Sequence, residues 1–195
     1  MKNIKVLAIV GPTASGKSAL AVRLARRFGG EIISADSRQV YRGLDIGTGK
    51  ITKREMYGIP HHLLDVADPR QQYSAGVYAK AAQKIVRYIV QKNKLPIIVG
   101  GTGFYIDAAL GTIVLPEVPP NQKLRKELTK KTSGQLFTML QKLDPSRAKA
   151  IDRQNPVRLI RAIEIAKVLG HVPKHSNILQ NVGMFDVLKI GLELS

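Results

Sequence analysis

"IVGPTASGKSAL", residues Ile9 to Leu20, decides how the rest of the chain is read. It joins an apolar, β-branched run, "IKVLAIV" (Ile4 to Val10), to "SALAVRLARRF", whose apolar residues fall at helical spacing. Gly11 to Ser18 match G-x-x-x-x-G-K-[ST] in full. Gly11 and Gly16 let the backbone wrap closely and aim its N–H groups inward, and the helix N-terminus adds partial positive charge. Lys17 supplies a mobile cation, and the Ser18 hydroxyl suits Mg²⁺. Gly11, Pro12, Thr13, Ala14, Ser15, Gly16, Lys17 and Ser18 are therefore the candidate phosphate cradle.

Outward from this loop the chain alternates. "GGEIISAD" starts a second strand, and "HHLLDV" (His61 to Val66) is a candidate third. "SAGVYAKAAQKIVRYIVQKN" (Ser74 to Asn93) has a serine N-cap and a helical apolar stripe. "LPIIVGGTGFY" (Leu95 to Tyr105) is a strand running into a Gly-rich turn. This order predicts an α/β fold with a parallel, P-loop NTPase-like sheet as its core. Prolines cluster in "LPEVPPNQ" (Leu115 to Gln122), and helical signals alone follow. "NPVRLIRAIEIAKVLG" is the best marked, with Asn155 as N-cap, Pro156 at the first helical position and Gly170 past the end. "MFDVLKIGLEL" (Met184 to Leu194) returns to strand character. The expected organisation is an α/β core over 1–115, a helical insertion lobe over 116–183, and a return strand over 184–195.

The 195 residues carry a formal charge of +17. Residues 1–120 hold 17 Lys+Arg against 8 Asp+Glu, and residues 121–175 hold 13 against 4, so the positive field is denser in the helical part. A polyanion partner, most simply nucleic acid, accounts for charge of this size. With no cysteine there is no disulfide framework, thiolate nucleophile or cysteine-based zinc site. The N-terminal apolar run is too short for a membrane span or signal peptide, which predicts a cytoplasmic protein without a membrane partner.

A P-loop used for phosphoryl transfer needs a carboxylate for Mg²⁺, often ending a nearby apolar strand. "LPIIVGGTGFY" ends in Gly100-Gly101-Thr102 and offers none. The acid is Asp36, at the end of the second strand, where α/β sheets bind ligands. Ser37, Arg38 and Gln39 follow at once, and an acid, a hydroxyl, a cation and an amide in a row suit a polar heterocycle.

"GPTASGKS", "ISADSRQVYRGLDIGTGKIT", "GIPHHLLDVADP", "YSAGVYAKAAQ", "IIVGGTGFYI" and "NPVRLIRAIEI" together resemble the tRNA dimethylallyltransferase (tRNA isopentenylpyrophosphate transferase) family, in order and over nearly the whole chain. The resemblance implies transfer of a dimethylallyl group from dimethylallyl diphosphate to N6 of the adenosine 3′ of the anticodon, with Mg²⁺ assisting and pyrophosphate leaving. It implies Asp36 as general base, with Lys17 and Thr102 as the other catalytic residues, Thr102 near the leaving oxygen. The cradle and Ser18 would hold the diphosphate and Mg²⁺. Asp36, Ser37, Arg38, Gln39 and Thr102 would meet the target adenosine, and Arg125 with Val157, Arg158, Leu159, Ile160 and Arg161 the rest of the tRNA anticodon stem–loop. A monomer is expected.

Four departures stand out. Ser18 replaces the more usual Thr, Gly49 a common Ala, and Val157 a polar residue. Members of the family also continue past "LKIGLELS", with further helices and an arginine for the diphosphate, so a C-terminally truncated chain is expected. Two rival readings remain: a P-loop small-molecule kinase using Asp36 on an acceptor hydroxyl, and a catalytically incomplete tRNA-binding fragment.

His61, His62 and Asp65 could suggest a metal, but adjacent strand residues face opposite ways, and a structural role is expected. Glu164 is expected in a helix-surface pair with Arg161, Asp152 as a cap, and Leu159, Ile160, Ile163 and Ala166 as core. Tyr41 and Tyr105 read as packing residues that could also stack on a ligand.

Overall fold

Short runs rich in Val, Ile and Leu, as at residues 6–10 and 96–99, belong in a parallel sheet buried on both faces. In the computed structural model, which describes residues 3–113, 115–173 and 185–193, they form one. The strands are β1 (Ile4–Val10), β2 (Gly30–Ser34), β3 (His61–His62), β4 (Leu95–Gly100) and β5 (Phe185–Gly191). Their order is β3-β2-β4-β1-β5, and every pairing is parallel. The third strand is shorter than its apolar run predicts, because the chain turns left-handed at Leu63 and leaves the sheet. The return strand is present over Phe185–Gly191; Met184 and Leu194 lie outside the described residues.

Successive side chains of each strand serve opposite layers. Leu7, Ile9, Ile32 and Ile97 pack with Ala21, Val22 and Ala25 of α1 (Lys17–Phe28). Val6, Ala8, Ile33 and Ile98 pack with Tyr78, Ala82, Val86 and Ile89 of α2 (Ala75–Gln91) and Ile106 and Ala109 of α3 (Gly103–Leu110). Ser74 caps α2 by accepting from the Val77 N–H. Where the glycines of "GGTG" predict only a turn, the chain goes on into α3, which Gly111 closes.

At the N-terminal end of the sheet, Glu31 is 1% exposed and accepts from His62 Nε2 and Lys94 Nζ, both at 2.8 Å. This ties the edge strand β3 to β2 and to the lead-in of β4. At the other end, the connections from β1 and β4 depart to opposite sides, which opens a crevice at the carboxyl ends of those two strands.

Two compact units divide the chain, one of residues Met1–Leu115 with Ile178–Ser195 and one of Pro116–Asn177. The second is helical among its described residues: α4 (Gln122–Leu128), α5 (Ser133–Leu143), α6 (Pro145–Ala150) and α7 (Pro156–Leu169). Its core joins Leu128, Leu136 and Leu140 to the α7 stripe Leu159, Ile160, Ile163 and Ala166. Asn121, Thr132, Asp144 and Asn155 each cap a helix with a side-chain oxygen. Asp152 does not cap α7 but accepts from the Gln154 N–H in the turn before it.

Glu164 is not a surface residue, as its spacing from Arg161 alone predicts, but is 1% exposed. Its carboxylate accepts from Arg125 Nε at 3.0 Å and Nη2 at 2.8 Å, from Arg161 Nη1 at 2.5 Å, and from the Asn121 N–H at 2.6 Å. Burial works to raise its pKa, but the Arg125 guanidinium, the Asn121 N–H and Arg161 outweigh that and hold it down to about 2.

Two predictions follow from this packing. A Cβ on Gly100 would run into the Ala35 carbonyl. Gly100→Ala is therefore expected to lower the unfolding free energy by about 3 kcal/mol, read from urea denaturation. A carboxyl held below its unfolded value contributes stability above the unfolded pKa and loses it as pH falls through the folded one. Glu164→Gln should cost about 3 kcal/mol at pH 7 and flatten the fall in urea midpoint that the parent shows between pH 5 and 2.

Candidate phosphate and acceptor site

The phosphate loop starts where β1 ends. Gly11 is forced by crowding: a Cβ there would sit 2.9 Å from the Leu192 carbonyl and 3.0 Å from Ser15 Oγ. Leu192 is held in place by its own N–H, which donates to the Val10 carbonyl at 2.9 Å. Ala14 and Gly16 are both left-handed, at φ of 64° and 79°, and Gly16 turns the chain into α1. Left-handed residues alternating with right-handed ones point successive N–H groups to one side and make an anion-binding concavity. Ala14 holds that geometry at a cost of about 1–2 kcal/mol, as strained residues at binding loops do.

Side chains of the loop fit an anionic guest. Ser15 Oγ is buried with no hydrogen-bond partner among the described residues. Lys17 Nζ donates to the loop's own Pro12 carbonyl at 2.7 Å. Burial lowers the pKa of Lys17, and the charge of Asp36 works the other way. Asp36 follows β2 and the cradle follows β1, on either side of β4 in the sheet. Ser18 presents its hydroxyl at an exposed position of the first turn of α1.

Asp36 lies just past β2 and Thr102 just past β4. The pairing of these strands runs on beyond their ends, with Ala35 N–H to Val99 O at 2.7 Å and Thr102 N–H to Ala35 O at 3.3 Å. Thr102 Oγ1 then accepts from the Ser37 N–H at 3.1 Å and lies 3.4 Å from Ser37 Oγ. Asp36 Oδ1 accepts from the Arg38 and Gln39 N–H groups, at 2.8 and 3.4 Å. This Asx turn fixes one carboxylate oxygen and leaves Oδ2 without a hydrogen bond among the described residues.

Gln39 is held by the loop that follows it. Its amide N–H groups donate to the Thr48 and Gly49 carbonyls at 3.1 and 3.3 Å, and Oε1 is 3.5 Å from Ser34 Oγ. The amide therefore braces the following loop rather than facing outward. Arg38 is exposed beside it. Tyr105 is core: it stacks on Tyr78 at 4.2 Å and donates its hydroxyl to the Tyr73 carbonyl at 3.0 Å. Tyr41 accepts from the Tyr73 N–H at 3.1 Å.

His61, His62 and Asp65 go to separate partners, namely the Ile59 carbonyl, Glu31 and Lys50. In the helical unit, Val157 and Arg158 are exposed, Arg125 and Arg161 half-buried on Glu164. Leu159 and Ile160 are 0% and 9% exposed, so their side chains belong to the core and cannot face a partner. A shallow groove of about 680 Å³ in that unit, between Pro119–Glu127 and Lys167–Val168, carries none of the cradle's chemistry.

A strand, a glycine-bounded phosphate loop and a helix inside a parallel sheet define a P-loop α/β protein. A family model described as "IPP transferase" matches residues 39–195, and the chain belongs to that family. The tRNA dimethylallyltransferase of Pediococcus pentosaceus is 46% identical over 192 residues, covering 96% of this chain and 62% of that protein. The one of Caldanaerobacter subterraneus is 42% identical over 197 residues, covering 97% and 62%. The chain thus spans 62% of the length of these two relatives. Among solved structures, the full-length tRNA isopentenylpyrophosphate transferase of Bacillus halodurans is 40% identical with a TM-score of 0.62, over 97% of this chain and 60% of that one. A eukaryotic dimethylallyltransferase described as acting on tRNA is 30% identical with a TM-score of 0.80, over 96% and 48%. No helix among the described residues is long and apolar enough to cross a membrane.

Removing the Lys17 ammonium should weaken binding of inorganic pyrophosphate at least roughly tenfold, since a charge-assisted contact in a partly buried site is lost. Titration calorimetry of Lys17→Met against the parent reads this directly.

Proposed function

We propose that the chain transfers the dimethylallyl group of dimethylallyl diphosphate to N6 of the adenosine 3′-adjacent to the anticodon of a tRNA, releasing pyrophosphate. The carrying observation is the juxtaposition of Asp36, Ser37 and Thr102 at one strand-end crevice, with the phosphate loop at the end of β1 on the other flank of β4. Family membership supports the same reading.

The residues divide the work. Loop N–H groups from Gly11 to Ser18, with Lys17 and Ser15 Oγ, hold the diphosphate and take up the charge that grows on it as the allylic carbon–oxygen bond breaks. Thr102 Oγ1 stands beside the acceptor turn, where a hydroxyl can donate to the leaving oxygen. N6 of adenine is a poor nucleophile because its lone pair is delocalised into the ring. Asp36 Oδ2 takes a proton from N6 as the N6–carbon bond forms, while Oδ1 stays anchored in the turn. Transfer thus makes one carbon–nitrogen bond, breaks one carbon–oxygen bond and moves one proton to Asp36. The target adenosine must leave its stack to reach this turn.

Mg²⁺ fits the residues present: Ser18 offers a hydroxyl at an exposed position of the first turn of α1. A small hard cation that keeps its waters needs little more than a hydroxyl and the diphosphate oxygens. When bound it would neutralise charge on the leaving group. Arg125, Arg158 and Arg161, with the lysines around them, supply contacts for RNA phosphates.

The test is a single-turnover reaction with labelled dimethylallyl diphosphate, Mg²⁺ and an anticodon stem–loop bearing the target adenosine. The parent is expected to label the RNA, and Asp36→Ala to do so at least roughly a hundredfold more slowly with RNA binding retained. Absence of label with the RNA bound would overturn the proposal in favour of a binding-only role, and label on a small hydroxylated acceptor from ATP would favour a kinase.

A further inference from the structure

Lys50 has its side chain only 5% exposed, while its two acidic partners, Asp45 and Asp65, are 64% and 49% exposed. This inverts the usual surface pair, in which the ammonium reaches water. The Nζ donates to the Tyr41 carbonyl at 2.9 Å, Asp45 Oδ1 at 2.7 Å and Asp65 Oδ1 at 2.5 Å. An ammonium has three donors, and all three are used. Burial works against this charge, but the hydrogen bonds it donates to both carboxylates more than offset it and raise the Lys50 pKa.

The three acceptors come from separate stretches, and each borders the acceptor turn. Residues 45–50 form a 3-10 turn over Ile46–Thr48, whose Thr48 and Gly49 carbonyls receive the Gln39 amide. Residues 63–67 flank the turn from the other side, with Asp65 N–H to Gln39 O at 3.2 Å and Ala67 N–H to Val40 O at 2.9 Å. Arg42 Nε adds a bond to the Asp65 carbonyl at 2.9 Å. Leu63 and Asp65 are both left-handed, at φ of 64° and 56°. Strained residues of this kind persist only where their surroundings over-determine them. Lys50 supplies part of that constraint at Asp65, and its side chain is bonded to all three stretches.

We propose that Lys50 is a positioning residue: a buried ammonium clasp that locks the 45–50 and 63–67 stretches around residues 36–41 and so sets the Gln39 amide and the Asp36 turn. Without it the 45–50 stretch loses its anchor, Gln39 loses its carbonyl partners, and the Gln39 N–H to Asp36 Oδ1 bond loosens. The acceptor turn then samples several orientations while the cradle is untouched. The geometric part stands alone; its kinetic consequence rests on the prenyl-transfer reading.

Because Asp45 and Asp65 face solvent, Lys50→Met leaves no buried unpaired charge, and the variant should fold. The first readout is the Gln39 side-chain amide in an ¹⁵N-correlated NMR spectrum, assigned by its loss in Gln39→Glu. In the parent it should be a shifted, slowly exchanging pair. In Lys50→Met it should move to the position of solvent-exposed glutamines while resonances of the sheet stay put. Lys50→Arg should recover it in part. The second readout is transfer to the stem–loop: a rate at saturating RNA roughly ten- to a hundredfold lower in Lys50→Met, with pyrophosphate affinity within about twofold of the parent. An unmoved Gln39 amide in Lys50→Met overturns the clasp. So does a loss of transfer and pyrophosphate binding in equal measure, which would mark a general defect of folding. A parent protein that transfers no prenyl group would sink the functional reading and leave the Gln39 amide to decide the clasp.

Discussion

The backbone of β4 at Gly100 lies against that of Ala35 so closely that no side chain fits between them. Everything at the crevice depends on this approach. It lets the β2–β4 pairing run on past both strand ends, to Ala35 and then to Thr102. The two chains separate only after Asp36 and Thr102 have been delivered side by side, and the Ser37 N–H to Thr102 Oγ1 bond closes the gap. β1 lies on the other flank of β4, so the phosphate loop opens beside the same crevice. A glycine chosen for space, two residues before Thr102, thus brings an acid, a hydroxyl and an anion cradle together.

A second consequence concerns the order of rigidity. The cradle carries its strain in Ala14 and Gly16 and is backed by Leu192 at the end of β5. The acceptor turn carries none of its own; its non-glycine strain sits one layer out, at Leu63 and Asp65. On the proposed reading, a turn that admits a bulky base gains from this arrangement. Its own backbone stays relaxed, and the flanking loop does the holding through hydrogen bonds that a ligand does not have to displace.

What was legible in the sequence was whatever is local. The phosphate loop, the Ser74 and Asn155 caps and the α7 stripe each state their structure within a few residues, because turn chemistry and periodicity are short-range. The parallel sheet was legible from short Val- and Ile-rich runs that alternate with helical ones. Gln39 was not, since an amide after an acid looks the same whether it faces a ligand or the carbonyls of Thr48 and Gly49. Nor was the Glu164 hub: the Arg161 spacing suggested a surface pair, but Arg125 and the Asn121 N–H arrive from a helix 39 to 43 residues away. Lys50 left one faint signal, a lysine closing a Gly-Thr-Gly turn between two aspartates, and only the fold shows that both acids meet it.

The same pairings change how the charge of +17 should be read. Lys50, Lys94, Arg125 and Arg161 all spend their charge on carboxylates of the chain itself. What the helical unit shows to solvent includes a different set, among them Lys123, Lys126, Lys130 and Lys131 on α4 and the turn after it. Exposed lysines on flexible stems give long-range, salt-sensitive attraction to a polyanion with little geometric demand. Arg125 and Arg161 are held rigidly by a buried carboxylate, so any guanidinium edge they offer is already oriented and loses little entropy on contact. On the proposed reading, attraction and registration of the RNA therefore fall to different residues. The lysines set how fast and at what salt the partner arrives, and the Glu164-anchored arginines set where it stops.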